Sequence, residues 1–216
     1  MKHITFYLDF ISPYAYLAFE HMPEALAGIS HSVSYKPVLF AGMLKHYGQL
    51  GPAEIAPKRD WTYRQVQWLA HSKGIALQMP SAHPFNPLAL LRLATACSSP
   101  AEAGASNRYV CETIFRHVWQ GGADAADAGR LEALSQQLAS QVRVEPEDAK
   151  VFLKSNTEEA IAKNVFGVPA FEVDGKIFWG LDALPMLRDY LTGSDWFAGE
   201  GWNSVSKVSV AIVRKS

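Results

Sequence analysis

Residues 4–19 read ITFYLDFISPYAYLAF, and the chain changes there from a strand pattern to a helix pattern. Residues 4–10 are apolar and rich in β-forming side chains, which predicts a buried strand. Ser12 is a preferred N-cap residue, and Pro13 suits the first helical position, where its missing N–H would be unpaired anyway. We therefore expect a hydroxyl group at a helix N-terminus, where free N–H groups favour an anion. Helix capping alone is the alternative role of Ser12.

The composition of the 216-residue chain limits the classes of protein to consider. With 49% hydrophobic and 19% charged residues, the chain is expected to form a packed core rather than a disordered segment. The net charge of −1, without a basic block, gives no electrostatic basis for nucleic-acid or anionic-membrane partners. Apolar runs are far shorter than a membrane span, and the N-terminus lacks a secretory pattern. We expect a soluble cytoplasmic protein.

The two cysteines, Cys97 and Cys111, fall in stretches with a helical pattern. There is no CxxC motif, and no His/Cys cluster has the spacing of a zinc site. A disulfide framework is not expected in a cytoplasmic chain of this size. We therefore expect both cysteines to be small buried hydrophobic residues, and we expect no metal site.

The first half of the chain predicts a βαβ unit followed by helices. Residues 32–39 form the second predicted strand, which should be parallel to the first with a right-handed crossover. Residues 41–142 contain no confident strand and predict an all-helical insertion. Helices are expected at 41–48, 60–72, 88–97, 107–119 and 128–140. In the second of these, one apolar face is predicted from Trp61, Val66, Trp68 and Leu69.

The last part of the chain predicts helices around one hairpin. Two helices are expected at 146–154 and 157–166, the second capped by Ser155 or Asn156. Asp174-Gly175 is a strong hairpin-turn signal between two short strands. A final helix is predicted from Asp182, as N-cap candidate, to Thr192. An extended tail should then pack on the body, with the alternating residues 208–213 as a candidate edge strand.

This order predicts an α/β fold class: a thioredoxin-like domain, with βαβ and ββα halves in one central sheet, interrupted by an inserted all-helical domain. The expected boundaries are 1–40 and 143–197 for the two halves, 41–142 for the insertion and 198–216 for the tail. In such folds the first βα turn faces the loop before the third strand, here Val168-Pro169. A cis bond would expose the main chain of Val168, so that an extended peptide could pair with it. A trans proline starting an edge strand is the alternative.

Three motifs carry a family resemblance: Phe10-Ile11-Ser12-Pro13-Tyr14, Gly167-Val168-Pro169 and Trp179-Gly180-Leu181-Asp182. Together they resemble the 2-hydroxychromene-2-carboxylate isomerases, relatives of the kappa-class glutathione transferases and periplasmic disulfide oxidoreductases. The similarity extends to about residue 197. It implies a homodimeric enzyme of aromatic catabolism that uses glutathione as its cofactor.

The same resemblance implies roles for individual residues. Ser12 would be the catalytic residue, donating a hydrogen bond to the glutathione sulfur, because a hydroxyl donor at a helix N-terminus stabilises a thiolate. Val168 and Pro169 would bind the glutathione main chain. The γ-glutamyl end would bind Trp179, Gly180, Leu181 and Asp182, and the Asp182 carboxylate would pair with its ammonium group.

The implied reaction is reversible addition of the glutathione thiolate to a conjugated C=C of the hydroxychromene carboxylate, yielding the trans-benzalpyruvate isomer. The better-defined isomerases hold their substrate with a lysine, an Asn-Arg pair and a tyrosine. Lys45 lies near the position of that lysine, and the other residues have no clear match here. We therefore consider Lys58, His83 and Asn86 as replacements; a solvated surface role is the alternative for each.

Other functions remain open from sequence. A kappa-like transferase or peroxidase acting on small electrophiles would use the same sulfur site and consume glutathione. A thiol–disulfide oxidoreductase is nearly excluded, because residues 12–15 supply no thiol. A binding module that has kept the fold without turnover is the fourth alternative.

Overall fold

A computed structural model describes residues 1–99, 101–209 and 211, with backbone only for positions 206 and 207. Its central sheet has the strand order β2-β1-β3-β4. The strands are β1 (Lys2–Leu8), β2 (His31–Pro37), β3 (Ala170–Val173) and β4 (Lys176–Trp179). β1 pairs with β2 in parallel and with β3 antiparallel, and β3 and β4 form a hairpin. The predicted α/β thioredoxin-like sheet is confirmed.

The α-helices of the described residues are α1 (Pro13–Ala25), α2 (Phe40–His46), α3 (Ala56–Ser72), α4 (Leu88–Ala96), α5 (Arg108–Trp119), α6 (Ala128–Gln137), α7 (Pro146–Ala162), α8 (Leu184–Leu191) and α9 (Glu200–Asn203). Short 3₁₀ turns cover Pro52–Glu54, Ala139–Gln141, Leu181–Ala183, Asp195–Phe197 and Ser204–Lys207. Helices α2–α6 separate the βαβ half from the hairpin, as a helical insertion predicts. In the described part of this stretch, the sheet pairing consists of one isolated bridge between Tyr35 and Ser106.

The sheet and the helical insertion share one hydrophobic core. Phe6 and Phe171, on neighbouring strands, have ring centroids 4.6 Å apart. Phe115 of α5 lies 4.9 Å from Phe10 and 5.2 Å from Phe19 of α1, centroid to centroid. Because all five rings are fully buried, the insertion is packed directly against the elements that lead to Ser12.

The turn of the β3–β4 hairpin lies at the predicted position. Asp174 has φ +50° and Gly175 has φ +78°. Consecutive residues with positive φ are typical of the tight turns that match the twist of a hairpin, and Asp-Gly suits them. This local prediction is confirmed.

The prediction of two separate helices at 146–154 and 157–166 is wrong, because a single helix, α7, runs from Pro146 to Ala162. Asn156 is 3% exposed, and its amide donates to the main-chain carbonyls of Pro37 and Gly104 at 3.0 and 2.8 Å. The Thr157 hydroxyl donates to the Leu153 carbonyl one turn earlier. The polar run therefore satisfies tertiary and intrahelical hydrogen bonds instead of breaking the helix.

The predicted apolar face of α3 is wrong for its two tryptophans. Val66 is buried, whereas Trp61 and Trp68 are each 64% exposed. At 3.6 residues per turn, positions 61 and 68 lie about 140° and 160° from position 66 in the same rotational sense, so they are about 20° apart around the helix. They share a face with each other, and that face points away from the core.

The C-terminal end also differs from the prediction. Asp182 lies inside the 3₁₀ turn Leu181–Ala183, and α8 begins at Leu184 without a side-chain cap, so Asp182 is not an N-cap. Residues 200–207 are helical rather than extended, and Phe197 packs on Phe178 of β4. The candidate edge strand at 208–213 lies largely outside the described residues. Within the described ranges, no helix has the length and apolar character to cross a membrane.

A polar network on the sheet joins three elements through the Glu159 carboxylate of α7. Tyr7 of β1 donates its hydroxyl to Glu159 at 3.0 Å, and Lys36 of β2 donates to the other carboxylate oxygen at 2.5 Å. Lys163 lies 3.1 Å from the first oxygen. Burial alone would raise the pKa of Glu159, but the bonds from Lys36 and Lys163 lower it overall.

We predict that Glu159→Gln lowers the free energy of unfolding by about 1 kcal/mol at neutral pH, the upper end for a partly solvated ion pair. Because the folded pKa of Glu159 is lowered, its contribution is complete above the ordinary value of 4.5 and is lost as pH falls through the folded value. The difference between variant and parent should therefore shrink toward pH 3. Urea unfolding at several pH values measures it.

Glu158→Gln is the matched control. Glu158 is the neighbouring residue, is 66% exposed, and lies 3.7 Å from Lys154 of the same helix. Its removal should change stability little at any pH. Equal losses in the two variants would contradict the role given to the network.

Candidate active site

Ser12 caps α1 and also faces the loop before β3. Its backbone is extended, its hydroxyl oxygen accepts from the N–H of Ala15 at 3.2 Å, and Pro13 is at the first helical position. The same hydroxyl donates to the main-chain carbonyl of Val168 at 3.4 Å. Both expectations for Ser12, a helix cap and proximity to Val168, are met by one side chain that is 7% exposed.

The turn between β1 and Ser12 is built on the carboxylate of Asp9. One oxygen accepts from the N–H of Ile11 at 3.1 Å, and the other accepts from the N–H of Phe40 at 3.0 Å. The N–H of Ser12 donates to the Asp9 carbonyl at 3.0 Å. These bonds end β1 at Leu8, two residues earlier than predicted. Burial raises the pKa of Asp9 to about 7, although the hydrogen bonds from the main chain oppose that shift.

The two carbonyls of this turn are bound by side chains from the insertion. The indole N–H of Trp119 donates to the Phe10 carbonyl at 3.0 Å, and Nε2 of His83 lies 2.8 Å from the Ile11 carbonyl. Nδ1 of His83 lies 2.7 Å from the Tyr63 hydroxyl. Burial lowers the pKa of His83, which favours the neutral ring.

Sequence reasoning did not identify Asp9, Trp119 or Tyr63 as parts of the site. Asp9 had a usable signal, since a carboxylate three residues before an N-cap, within an apolar run, needs hydrogen-bond donors. Trp119 and Tyr63 reach the turn from distant parts of the chain, and no spacing in the sequence predicts that.

The loop before β3 has the predicted form. The Val168–Pro169 bond is cis, as expected, and the His83–Pro84 bond is also cis. The Val168 carbonyl accepts from Ser12, while its N–H donates to no acceptor in the part of the chain that the structure describes. Pro169 accepts at its carbonyl from the N–H of Gly180 at 2.9 Å, which joins this loop to the end of β4.

Residues 179–182 extend the site along the end of β4. Trp179 is 53% exposed, and its ring lies 4.8 Å from that of Phe166, beside the Val168 loop. Gly180 has φ +101°, a conformation that side chains rarely adopt, and a Cβ there would meet the Asp182 carboxylate at 2.3 Å. Leu181 is buried, whereas Asp182 is exposed and has no ion pair within the described residues.

Asp182 lies close to the start of α1. The 3₁₀ turn that carries it contacts α1, and burial together with the Asp182 charge raises the pKa of Tyr14. The Tyr14 hydroxyl donates to Gln65 of α3 at 2.6 Å. Thus Ser12, Val168 and the 179–182 segment border the same end of α1, with α3 of the insertion opposite.

The four candidate substrate residues occupy different settings. Lys45, at the end of α2, and Lys58, in the first turn of α3, are exposed and have no ion pair in the described ranges. Asn86 is exposed and accepts from the N–H of Leu88 at 3.1 Å. His83 is hydrogen-bonded to the turn before Ser12, and both of its ring nitrogens have protein partners.

The cysteines are unsuited to redox chemistry at this site. Cys97 and Cys111 are unpaired and buried, as predicted. Burial raises the pKa of Cys97 to about 11 and that of Cys111 further, so both are thiols at neutral pH.

Two cavities of about 440 and 390 Å³ lie away from Ser12, and no cluster of three metal-ligating side chains occurs among the described residues.

The chain is similar to known proteins over most of its length. The DSBA-like thioredoxin domain profile matches residues 3–192. The chain is 28% identical over 199 residues to 2-hydroxychromene-2-carboxylate isomerase of Sphingobium xenophagum, covering 88% of this chain and 98% of that protein. It is 23% identical over 206 residues to glutathione S-transferase kappa 2 of Caenorhabditis elegans, covering 88% and 92%.

A solved structure of 2-hydroxychromene-2-carboxylate isomerase superposes with a TM-score of 0.68 at 21% identity, covering 96% of this chain and 100% of that one. This likeness confirms the fold. The relatives confirm the resemblance that the three motifs indicate.

We predict that Asp9→Asn changes how stability depends on pH. The folded pKa of Asp9 is raised to about 7 from an ordinary 3.8, so its stabilising contribution is complete below the lower value and is lost as pH rises through the higher one. The parent should therefore lose stability relative to the variant as pH rises from 5 to 8. The free energy of unfolding at each pH measures the difference.

Asp189→Asn, at an exposed position of α8, is the control and should follow the parent. If Asp9→Asn and the parent had parallel profiles over this range, Asp9 would have an ordinary pKa and the proposed buried setting would be wrong.

Proposed function

Because the chain belongs to the DSBA-like thioredoxin domain family, we propose that it is an enzyme that uses the sulfur of glutathione at Ser12. We propose the reaction of the 2-hydroxychromene-2-carboxylate isomerases, which yields trans-o-hydroxybenzylidenepyruvate. The observation that carries this proposal is the contact between the Ser12 hydroxyl and the Val168 carbonyl, 156 positions apart in the sequence. It joins a donor at a helix N-terminus to a main chain able to pair with a peptide.

The setting of Ser12 fits a thiolate. Its hydroxyl donates at a long 3.4 Å, so it can turn to a stronger acceptor at little cost. The N–H of Tyr14 has no acceptor among the described residues, and the 13-residue α1 directs its positive end to this point. Together these groups would lower the pKa of a thiol bound there. Ser12 itself attacks nothing in this proposal.

The main chain of Val168 fits a peptide. Its N–H lacks an acceptor in the described part of the chain, and an unpaired main-chain donor beside a site favours a ligand carbonyl. Pro169 carries the loop into β3, and its carbonyl is already bound to Gly180. The exposed ring of Trp179 would cover one side of such a peptide.

The carboxylate of Asp182 fits the γ-glutamyl ammonium group. It is exposed, has no ion pair within the described residues and lies near the start of α1. A charge-assisted contact there would orient glutathione with its sulfur toward Ser12. The preceding residue, Leu181, is buried in the hydrophobic core.

When bound, glutathione supplies a thiolate that can add reversibly to a conjugated C=C of the substrate. The chain has to hold the aromatic carboxylate beside that sulfur. Lys45 and Lys58 carry charges of the required sign and have no ion pair in the described ranges, which supports their role as carboxylate ligands. Asn86 remains a candidate for a hydroxyl or carbonyl group of the substrate.

A kappa-like transferase or peroxidase is the second candidate, supported by the kappa relatives that cover most of the chain. It would use the same sulfur site on small electrophiles. Assays with hydroxychromene carboxylate, with and without added glutathione, test the isomerase. Consumption of glutathione with a chlorodinitrobenzene-type electrophile, without isomerisation, would favour the transferase. We also propose a cytoplasmic homodimer.

We predict that Ser12→Ala lowers kcat/KM roughly 100-fold, the scale of losing one donor to a developing anion. The ultraviolet absorption of the glutathione thiolate should also decrease in the complex, because the bound thiol loses its donor. Near-normal turnover in the variant would remove Ser12 from the mechanism.

Asn107→Ala is the matched control, since Asn107 caps α5 through the N–H of Val110 at 2.9 Å. Both variants lose an N-cap hydrogen bond, which costs about 1 kcal/mol of stability. We expect activity to fall in the Ser12 variant alone.

We predict that Asp182→Asn weakens glutathione binding about tenfold, the scale of a hydrogen bond to a charged group. The variant should bind a glutathione analogue without the γ-glutamyl amino group as well as the parent does. Calorimetry with both ligands measures this, with Asp189→Asn as the control. Equal weakening for both ligands would show that Asp182 does not bind the ammonium group.

A further inference from the structure

We propose that His83 is a positioning residue for Ser12, holding the Ile11 carbonyl so that the turn presents the hydroxyl at the start of α1. The role of Ser12 in this inference rests on the proposed function, whereas the contacts of His83 are hydrogen bonds seen in the structure. It assigns the 80–87 loop of the insertion a task that neither the motifs nor the relatives indicate.

The hydrogen-bond pattern fixes the tautomer of His83. A main-chain carbonyl only accepts, so Nε2, 2.8 Å from the Ile11 oxygen, must carry the proton. In the neutral ring Nδ1 is then an acceptor, and the Tyr63 hydroxyl, 2.7 Å away, can donate to it. The same hydroxyl lies 2.9 Å from the His83 carbonyl, so its single proton is shared between the ring nitrogen and that carbonyl.

The ring of His83 is partly buried among aromatic side chains as well as hydrogen-bonded. Its centroid lies 5.6 Å from that of Trp119, 5.5 Å from Tyr63 and 6.0 Å from Phe85. With both nitrogens engaged by protein, the imidazole offers no free nitrogen to a substrate. This geometry favours positioning over the substrate contact considered for His83 from sequence.

The Ile11 carbonyl belongs to the residue directly before Ser12, so its orientation sets that of the Ser12 backbone. The other groups of the turn are held by Asp9 and Trp119. If His83 no longer donated, the Ile11 carbonyl would be left without a partner and the turn would shift to find one. That shift would displace Ser12 from the N–H groups of α1, which stabilise an anion.

An introduced thiol at position 12 reports this effect without glutathione. In Ser12→Cys, the pH dependence of alkylation by iodoacetamide gives the pKa of that thiol; the buried Cys97 and Cys111 are the background, measured in the parent. Adding His83→Leu removes the donor and keeps an apolar side chain. We expect the pKa of the introduced thiol to rise by about half a unit to one unit.

His83→Gln tests rescue, because the glutamine amide can donate from nearly the position of Nε2. In the Ser12→Cys background, His83→Gln should return the pKa of the introduced thiol to the value found for Ser12→Cys alone. Tyr63→Phe keeps the imidazole and removes the hydroxyl that orients it, so we expect a smaller rise in the same direction. This variant also tests the proposal if His83→Leu fails to fold.

His117→Leu is the matched control. His117 also lies in the insertion, and its Nε2 is 3.0 Å from the carbonyl of Ala125, with a pKa likewise lowered by burial. This variant should lose stability and leave the pKa of the introduced thiol unchanged. The proposal would be overturned if that pKa were unchanged in folded His83→Leu, or if it shifted equally in both histidine variants. Failure of the parent to bind glutathione in calorimetry would instead overturn the proposed function alone.

Discussion

The turn from Asp9 to Ser12 has to satisfy its main-chain polar groups where a buried strand passes into a helix. Buried N–H and C=O groups are costly when unpaired, and neither β1 nor α1 can pair those between them. The chain solves this with an acceptor inside the turn, the Asp9 carboxylate, and with donors from elsewhere. The position of the Ser12 hydroxyl depends on these bonds.

The helical insertion supplies hydrogen-bond donors to this turn. Trp119 at the end of α5 and His83 in the 80–87 loop hold consecutive carbonyls of the turn. Phe115 packs on Phe10 in the shared core, so the insertion and the sheet form one packed unit at this point. If glutathione binds at Ser12 as proposed, changes in the insertion would alter its site without contacting it.

Local signals predicted much of the fold and the centre of the site. Ser12-Pro13 and Asp174-Gly175 were identified because capping and turn preferences act within a few residues. The cis bond before Pro169 was expected from the order of elements, since the local preference of an X–Pro bond is trans. The errors arose where distant groups decide the structure. Asn156 looked like a helix cap because its carbonyl partners on β2 and near α5 are absent from the local sequence. The bonds that Trp119 and His83 make to the turn were missed for the same reason, although His83 was considered as a substrate residue.

In the proposed complex, glutathione binds with its sulfur at Ser12 and its main chain beside Val168. A crystal structure of the protein with glutathione tests it most directly. We expect the sulfur within about 3.5 Å of the Ser12 hydroxyl and the cysteinyl carbonyl accepting from the N–H of Val168. Glutathione bound instead in either of the cavities away from Ser12, with the Ser12–Val168 bond intact, would contradict the account.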